Sequence, residues 1–297
     1  MRPRTEIFAA AGGKLQRDGS IRVDDRCATN LDDVYATSIC VSHTHAVSRR
    51  PVWTAQASDA DKTAQVAGAN AAGGDARLGP TLGTAILRAG ELHLARTGLT
   101  ELGGKLDARR VRISGTSCDP FFPGAAPLDV TLYYAPTTER ILGAEVVGRG
   151  GVDKRIDVLA TAILGKLGLE QLAQLDLAYS PPYSTTRDII NVAGIVGRQA
   201  REVRAWELDE FAGRGDAVVV YDVREAKDRK ANPFPATRVD LAKLGARRAE
   251  IRRAKQVVFV CETGRASYLA ARAAAHMGCA EAGYLSGGLL AWRAALG

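Results

Sequence analysis

The residues best placed to do chemistry are a cysteine and the short loop behind it. Gln256-Val257-Val258-Phe259-Val260 runs directly into Cys261, then Glu262-Thr263-Gly264-Arg265-Ala266, and Ser267 to Met277 has helical character. A cysteine between a strand and a helix is expected in a cup of backbone N–H groups at the helix N-terminus. Such surroundings favour an anion, and so a thiolate or a persulfide. The thiolate is the nucleophile that sulfur transfer requires. Gly264 lets the loop bend tightly, and Arg265 is placed to attract an anionic donor. Glu262 opposes this, because a carboxylate disfavours negative charge beside it. The local pattern by itself leaves an alternative open: a small buried hydrophobe at a strand end, common for free cysteine.

The other reactive residue types offer less. Five cysteines, at 27, 40, 118, 261 and 279, are scattered with no Cys-x-x-Cys spacing. A disulfide framework and a structural metal are therefore both unexpected. Cys118 reads as a buried or spare thiol. His43 and His45 flank Thr44 with no further ligands nearby and read as surface-loop residues, so no metal site is assigned. The net charge of +7 invites a nucleic-acid hypothesis. Yet the arginines are dispersed, as at 247, 248, 252 and 253, and such a run is a solvated helix face, so no nucleic-acid partner is expected. Attraction of small anions is the more useful inference. Apolar runs fall well short of the roughly 18 residues that cross a bilayer. Met1-Arg2-Pro3-Arg4 opens no charged-then-apolar leader. A cytoplasmic protein with no membrane partner is the expectation.

The elements that must position these residues change character along the chain. Residues 1–75 are rich in small and polar types, with a short alternating strand expected over Ser20–Asp24 and a helix over Asp59 to Ala72. Strands are expected over Thr84–Leu94, Arg110–Ser114, Asp129–Tyr134 and Ile141–Val147, the last two joined as a hairpin through Pro136. Val152, Ile156, Leu159, Ile163 and Leu167 recur at helical spacing. Strands first and helices after suggest an α+β layer. Gly197 to Glu202 reads as a charged linker. Beyond it, Ala217–Tyr221 and Gln256–Val260 are continuous apolar runs of the kind buried parallel strands need, each followed by a loop and a helical stretch, as in an α/β domain.

Three segments in order carry a resemblance. Tyr221-Asp222-Val223-Arg224-Glu225 ends the first of these strands, Cys261-x-x-Gly264 follows the later one, and Tyr284-Leu285-Ser286-Gly287-Gly288 precedes Trp292. Residues 203–297 thereby resemble the rhodanese family. The resemblance implies that Cys261 accepts sulfane sulfur as a persulfide and passes it to a nucleophile. Residues 262–267 would form the anion and persulfide loop, with Asp222 and Arg224 supporting it. The family's loop runs Cys-x-x-Gly-x-Arg, whereas here Arg265 comes one place early and Ala266 stands at the arginine position. Asn232-Pro233-Phe234-Pro235-Ala236 loosely matches the family's Gly-His-Ile-Pro-Gly-Ala.

Residues 81–196 resemble the dimerisation domain of FAD-dependent pyridine-nucleotide disulfide reductases, in the coenzyme A-disulfide reductase branch that carries a fused rhodanese domain. The matching stretches are Phe122-Pro123-Gly124-Ala125, Ile141-Leu142-Gly143-Ala144, Gly151 to Val158 and Leu177 to Ser184. Residues 1–75 are similar to the tail of the FAD-binding domain, through Arg2 to Glu6, Thr29 to Ala36 and Lys62 to Gly73. The chain itself contains no Gly-x-Gly-x-x-Gly turn between strand and helix, which a dinucleotide site needs. Neither an NAD(P)H domain nor the family's redox cysteine is recognisable. Where the family reads Tyr-Ala-x-Gly-Asp, with the Asp bonding the flavin ribityl chain, this sequence reads Tyr35-Ala36-Thr37-Ser38-Ile39. The family's Tyr-Tyr-Pro-Gly-Ala is Phe121-Phe122-Pro123-Gly124-Ala125, without the hydroxyl, while Tyr179 and Tyr183 stand as possible remnants of the reductase site.

Three functions follow as expectations. The first is a sulfurtransferase, homodimeric through residues 81–196, that takes a small sulfur donor and a thiol acceptor such as coenzyme A persulfide chemistry would supply. The second is the C-terminal portion of a split coenzyme A-disulfide, persulfide or polysulfide reductase. On that reading FAD and NAD(P)H enter only with a separately encoded flavin-domain partner, and none is bound by this chain alone. The third is a non-catalytic dimeric scaffold.

Overall fold

The structure is a computed structural model that describes residues 2–100, 108–200, 203–215, 217–231 and 233–296. Residues 201 and 202 of the expected linker, and Asn232 of the segment before Ala236, lie outside them. The chain divides into two compact units, Met1–Ile86 with Arg96–Leu106, and Leu87–Ala95 with Asp107–Gly297.

The first unit holds helix α1 (Glu6–Ala10), the antiparallel pair β1 (Ser42–Thr44) and β2 (Pro51–Trp53), and helix α2 (Ala57–Ala71). Its apolar centre is small, with Ile21, Ala36 and Val41 buried. Buried polar side chains do the rest. The Thr63 hydroxyl accepts the Ser38 N–H at 3.0 Å, and the Asn70 amide ties to Arg26 and Ala76 carbonyls. α2 forms where a helix was expected. The strand expected over Ser20–Asp24 does not form. Ile21 alone makes isolated bridges, to Leu15 and Val41, because the tight return at Gln16–Gly19 brings single residues into register. The two histidines are also not in a surface loop. His43 lies on β1 and is 5% exposed, and His45 is 8% exposed. The His45 ring Nδ1 accepts the N–H groups of Val47 and Ser48, so the ring closes a turn that the sequence spacing did not reveal. Burial lowers the pKa of both.

Strands β3 (Ala85–Ala89), β4 (Leu92–Gly98), β5 (Arg109–Thr116), β6 (Pro127–Tyr134) and β7 (Ile141–Gly148) form a sheet in the order β3-β4-β7-β6-β5. The single strand expected over Thr84–Leu94 is two, because the chain reverses at Gly90-Glu91. β6 pairs antiparallel with both neighbours, Val130 lying opposite Ile113 and Val146. Helices α3 (Val152–Leu164), α4 (Leu169–Gln174) and α5 (Ile189–Gln199) follow, giving the α+β layer. Val152, Ile156, Leu159 and Ile163 are buried along α3 as their spacing requires. Leu167 lies beyond its end. The helix stops as Lys166 turns left-handed, and the Leu167 and Lys166 N–H groups return to the carbonyls of Ala162 and Ile163. α5 runs to Gln199, so the expected linker begins as helix. The Asp188 carboxylate caps it from the Ile190 N–H at 3.1 Å, and Val196 packs into the core of the next layer, which carries the helix onward.

That next layer is an α/β sandwich: β8 (Arg204–Trp206), α6 (Leu208–Ala212), β9 (Val218–Asp222), α7 (Ala226–Ala231), β10 (Thr237–Arg238), α8 (Arg248–Arg253), β11 (Gln256–Val260), α9 (Arg265–His276), β12 (Glu281–Leu285) and α10 (Gly288–Leu296). Its sheet has the order β10-β9-β11-β12-β8 with every pairing parallel. Helices on both faces explain the unbroken apolar strands. Val257 and Phe259 of β11 enter one core with Ile251, Ala270 and Ala274, while Val258 and Val260 enter the other with Phe211, Leu285 and Leu289. Residues 248, 252 and 253 lie exposed on α8, the solvated face their spacing suggested.

Candidate functional site

Parallel strands place their following loops at one edge of the sheet, which is where binding sites of α/β sheets gather. β9 and β11 are neighbours with Asp222 opposite Val260, so the chain leaving β9 meets the chain leaving β11. The Val223 N–H donates to the Val260 carbonyl at 3.0 Å, directly before Cys261.

Cys261 is 3% exposed, and its Sγ sits inside the turn that starts α9. The Gly264 N–H donates to Sγ at 3.1 Å and the Ser267 N–H at 3.3 Å, with the Ser267 Oγ also at 3.3 Å. The Ser267 hydroxyl in turn reaches the Gly264 carbonyl at 2.9 Å. Gly264 makes this possible by standing in the left-handed region, φ 92°, as N-cap of a twelve-residue helix. Two backbone donors and the positive end of a helix thus converge on one sulfur, an arrangement suited to negative charge there. Thr263 and Arg265 are exposed on the rim, and Ala266, half-buried, brings no cation to the arginine position.

Asp222 and Arg224 stand beside this loop as an almost completely buried ion pair, 2.9 Å apart, with side-chain exposures of 2% and 1%. Asp222 also accepts the Arg224 N–H at 3.0 Å, so the pair is locked by its own backbone. A second Arg224 nitrogen reaches Glu262 at 3.4 Å, and Arg293 from α10 pairs with the other oxygen of the same carboxylate. Burial first, then repulsion from Arg224, lowers the Arg293 pKa.

The underside of the loop is held by residues not assigned to the site from sequence. The Leu289 N–H donates to the Cys261 carbonyl at 2.8 Å, and the Leu290 N–H to the Glu262 carbonyl at 2.9 Å. Gly288 permits this approach, since a Cβ there would lie 2.5 Å from both the Glu262 oxygen and the Gly264 nitrogen. The turn falls in the Ser286-Gly287-Gly288 run that carried part of the resemblance. Nothing local signalled Arg293, 31 residues from its partner. On the far side, Arg110 of β5 pairs with Glu207 at 2.9 Å, and the Arg112 side chain lies against Gly287, so the antiparallel sheet touches the turn under the sulfur loop.

Tyr179 and Tyr183 are in a different place, on the loop between α4 and α5. The Tyr179 hydroxyl donates to Asp119 at 2.9 Å, and Tyr183 is exposed except for its carbonyl, which accepts from Arg155. Beneath them Arg155 and Asp188 form a second buried pair at 2.9 Å, with Arg155 also donating to the Ser117 carbonyl. Burial raises the Asp188 pKa, but the Ile190 N–H, Arg155 and Ser184 together more than offset it, leaving the carboxyl below its ordinary value. Cys118, next to this network, is buried. Among the described residues no cluster of three or more His, Cys, Asp or Glu could hold a metal ion, and no helix is long and apolar enough to cross a membrane.

The resemblance also implies FAD, held in part at residues 35–39. Ser38 takes φ 80°, in the left-handed region that favours glycine. Ile39 follows, 39% exposed, and offers no side-chain acceptor where a carboxylate would bond the ribityl chain. Thr37 and Ser38 instead bond Thr63. The residues present at this position do not fit that anchoring role.

Comparison with known proteins agrees with this architecture. A rhodanese-like domain model matches residues 204–295. The coenzyme A disulfide reductase of Staphylococcus aureus (strain bovine RF122 / ET3-1) is 33% identical over 196 residues, 65% of this chain and 44% of that protein. A NAD-dependent persulfide reductase from A. fulgidus superposes with a TM-score of 0.87 at 31% identity, covering 98% of this chain and 54% of that one. Reduced CoADR-RHD from Bacillus anthracis gives 0.89 at 27% identity, covering 99% and 54%. The chain spans about half the length of the relatives it matches. The chain is similar to the C-terminal portion of coenzyme A disulfide reductases and carries a rhodanese-like domain at residues 204–295.

Proposed function

We propose that Cys261 carries sulfane sulfur as a persulfide, making this chain a sulfurtransferase of the rhodanese type. The observation that carries the reading is the pair of backbone donors, Gly264 and Ser267 N–H, aimed at one Sγ at the start of a long helix. In the step, the Cys261 thiolate attacks the outer sulfur of a donor R–S–S⁻. A bond forms between Sγ and that sulfur, the donor S–S bond breaks, and its electron pair leaves on RS⁻. The same donors then face the bound persulfide, whose outer sulfur passes to an acceptor thiolate with return of the Cys261 thiolate. Residues 81–196 hold two copies together on this reading, and no flavin takes part. Incubating the chain with polysulfide and a thiol acceptor tests it: turnover is expected from the wild type and not from Cys261→Ser. Equal turnover by both would end the proposal.

A second reading is favoured by the match over nearly the whole chain to a persulfide reductase. Here the sulfur on Cys261 would be reduced by a flavin-containing part using NAD(P)H, and acceptor thiols would be regenerated there. Residues 38 and 39 do not supply the family's flavin contact, so on this reading such a part brings its own. Mixing the chain with FAD, NADH or NADPH and a persulfide, with and without the product of an adjoining flavin-domain gene, decides it. Nicotinamide oxidation only in the complete mixture supports this reading, and none in any mixture removes it.

A further inference from the structure

We propose that Glu262 is a specificity-determining residue for the sulfur donor: by neutralising the two arginines at the loop, it favours a monoanionic persulfide borne on a thiol over dianionic thiosulfate. The inference rests on the reading of Cys261 as the sulfur carrier. Glu262 is the residue directly after that cysteine, and its carboxylate is clamped from both sides. One oxygen faces Arg224, whose side chain is 1% exposed, and the other faces Arg293 of α10, 38% exposed. Asp222 already pairs with Arg224. The four groups, two carboxylates and two guanidiniums, therefore sum to zero charge at the residue that follows the cysteine. Arg265 remains as an exposed cation at the rim, and Ala266 adds none.

Without Glu262 the same cluster would carry one net positive charge, located chiefly on Arg293. A small anion entering the loop would feel it in proportion to its own charge. Both donors react by the same balanced displacement. Thiosulfate delivers its outer sulfur to Sγ and leaves as sulfite with the bonding pair, while an alkyl persulfide leaves as a thiolate. They differ in charge on arrival, two against one, and in the apolar body that accompanies the persulfide. A site neutralised by its own carboxylate gives up the electrostatic advantage of the dianion and loses less with the monoanion.

One unit of charge at the loop, partly screened by water, changes the attraction of a monoanion by roughly threefold and of a dianion by roughly the square of that. The test compares second-order rate constants for sulfur loading of Cys261, read by quenched-flow mass spectrometry, with thiosulfate and with 2-hydroxyethyl persulfide. Glu262→Gln, nearly isosteric, is expected to raise loading from thiosulfate about tenfold and from the persulfide about threefold, shifting the ratio about threefold toward thiosulfate. Arg293→Gln should shift the ratio the other way, and Glu262→Asp should leave it near the wild-type value. Both shifts should shrink in molar salt, which a merely structural change would not do. An unchanged ratio in both charge variants overturns the role of Glu262 while leaving Cys261 as the carrier. If Glu262→Gln does not fold, Arg293→Gln decides alone. No loading of wild-type Cys261 by either donor overturns the carrier reading, and this one with it.

Discussion

Replacing Gly288 by Ala should dismantle the sulfur loop without touching any side chain that does chemistry. The added Cβ would lie 2.5 Å from the Glu262 carbonyl oxygen, 2.5 Å from the Gly264 nitrogen and 2.7 Å from the Cys261 carbonyl oxygen. All three are backbone atoms, so no flexible side chain can move aside. Gly288 also has φ 65°, where an L-residue costs about 1 kcal/mol. Relief requires the turn and the loop to separate, which breaks the Leu289-to-Cys261 and Leu290-to-Glu262 hydrogen bonds at about 1 kcal/mol each. The total is about 3 kcal/mol, or a fall in Tm of roughly 6–12 °C for a unit of this size. Circular dichroism during heating measures it, and sulfur loading at a temperature where the variant is still folded measures the loop. Gly245→Ala, with nothing within 4 Å of its new Cβ, is the control and should stay within about 0.5 kcal/mol of wild type. A Gly288→Ala protein that melts and loads sulfur like the control would refute the claim that α10 holds the loop from below.

Further outcomes follow from other parts of the molecule. Arg110→Glu should loosen the contact between β5 and the parallel-sheet layer, and adding Glu207→Arg should recover about 1 kcal/mol of coupling, measured in a double-mutant cycle of urea unfolding. Recovery of nothing would show that the pair does not hold the two layers. Asp188, whose folded pKa is depressed, contributes stability that is present above its unfolded value near 4 and is lost as pH falls through its lower folded value. Wild-type stability should accordingly fall below about pH 4 more steeply than that of Asp188→Asn, and parallel acid limbs would contradict the assignment. Ser38→Gly relieves a left-handed serine and should raise stability by about 1 kcal/mol in the same urea titration, whereas a loss would mean that the Ser38 side chain makes up the strain.

How far the sequence could be read depended on how local each signal was. The sulfur loop was legible because β11, Cys261 and α9 are contiguous, and one apolar run followed by Gly264 and a small-residue helix specifies the turn. The parallel layer was legible for the same reason, as both faces of β9 and β11 are buried and their apolar runs are unbroken. Signals that depend on a distant partner were not. Arg293 looks like any arginine on a short helix until α10 brings it to Glu262. His43 and His45 look solvated in a polar stretch, but strand pairing with residues 51–53 and a ring-capped turn bury them. The linker at 197–199 is weakly apolar in sequence and is helical because Val196 is anchored in a core that the local pattern cannot show. At 84–98 a run of strand-forming residues concealed a reversal at Gly90-Glu91, which a single glycine signals only weakly.

The central claim is that Cys261, held by two backbone N–H groups, is the sulfur carrier. Its most direct test is peptide-mapped mass spectrometry of the chain after brief exposure to limiting polysulfide, with the five cysteines competing for the same reagent. The account predicts one added sulfur on the peptide bearing Cys261, removed by a reducing thiol and absent in Cys261→Ser. Sulfur distributed among Cys27, Cys40, Cys118 and Cys279 with none on Cys261 would contradict it.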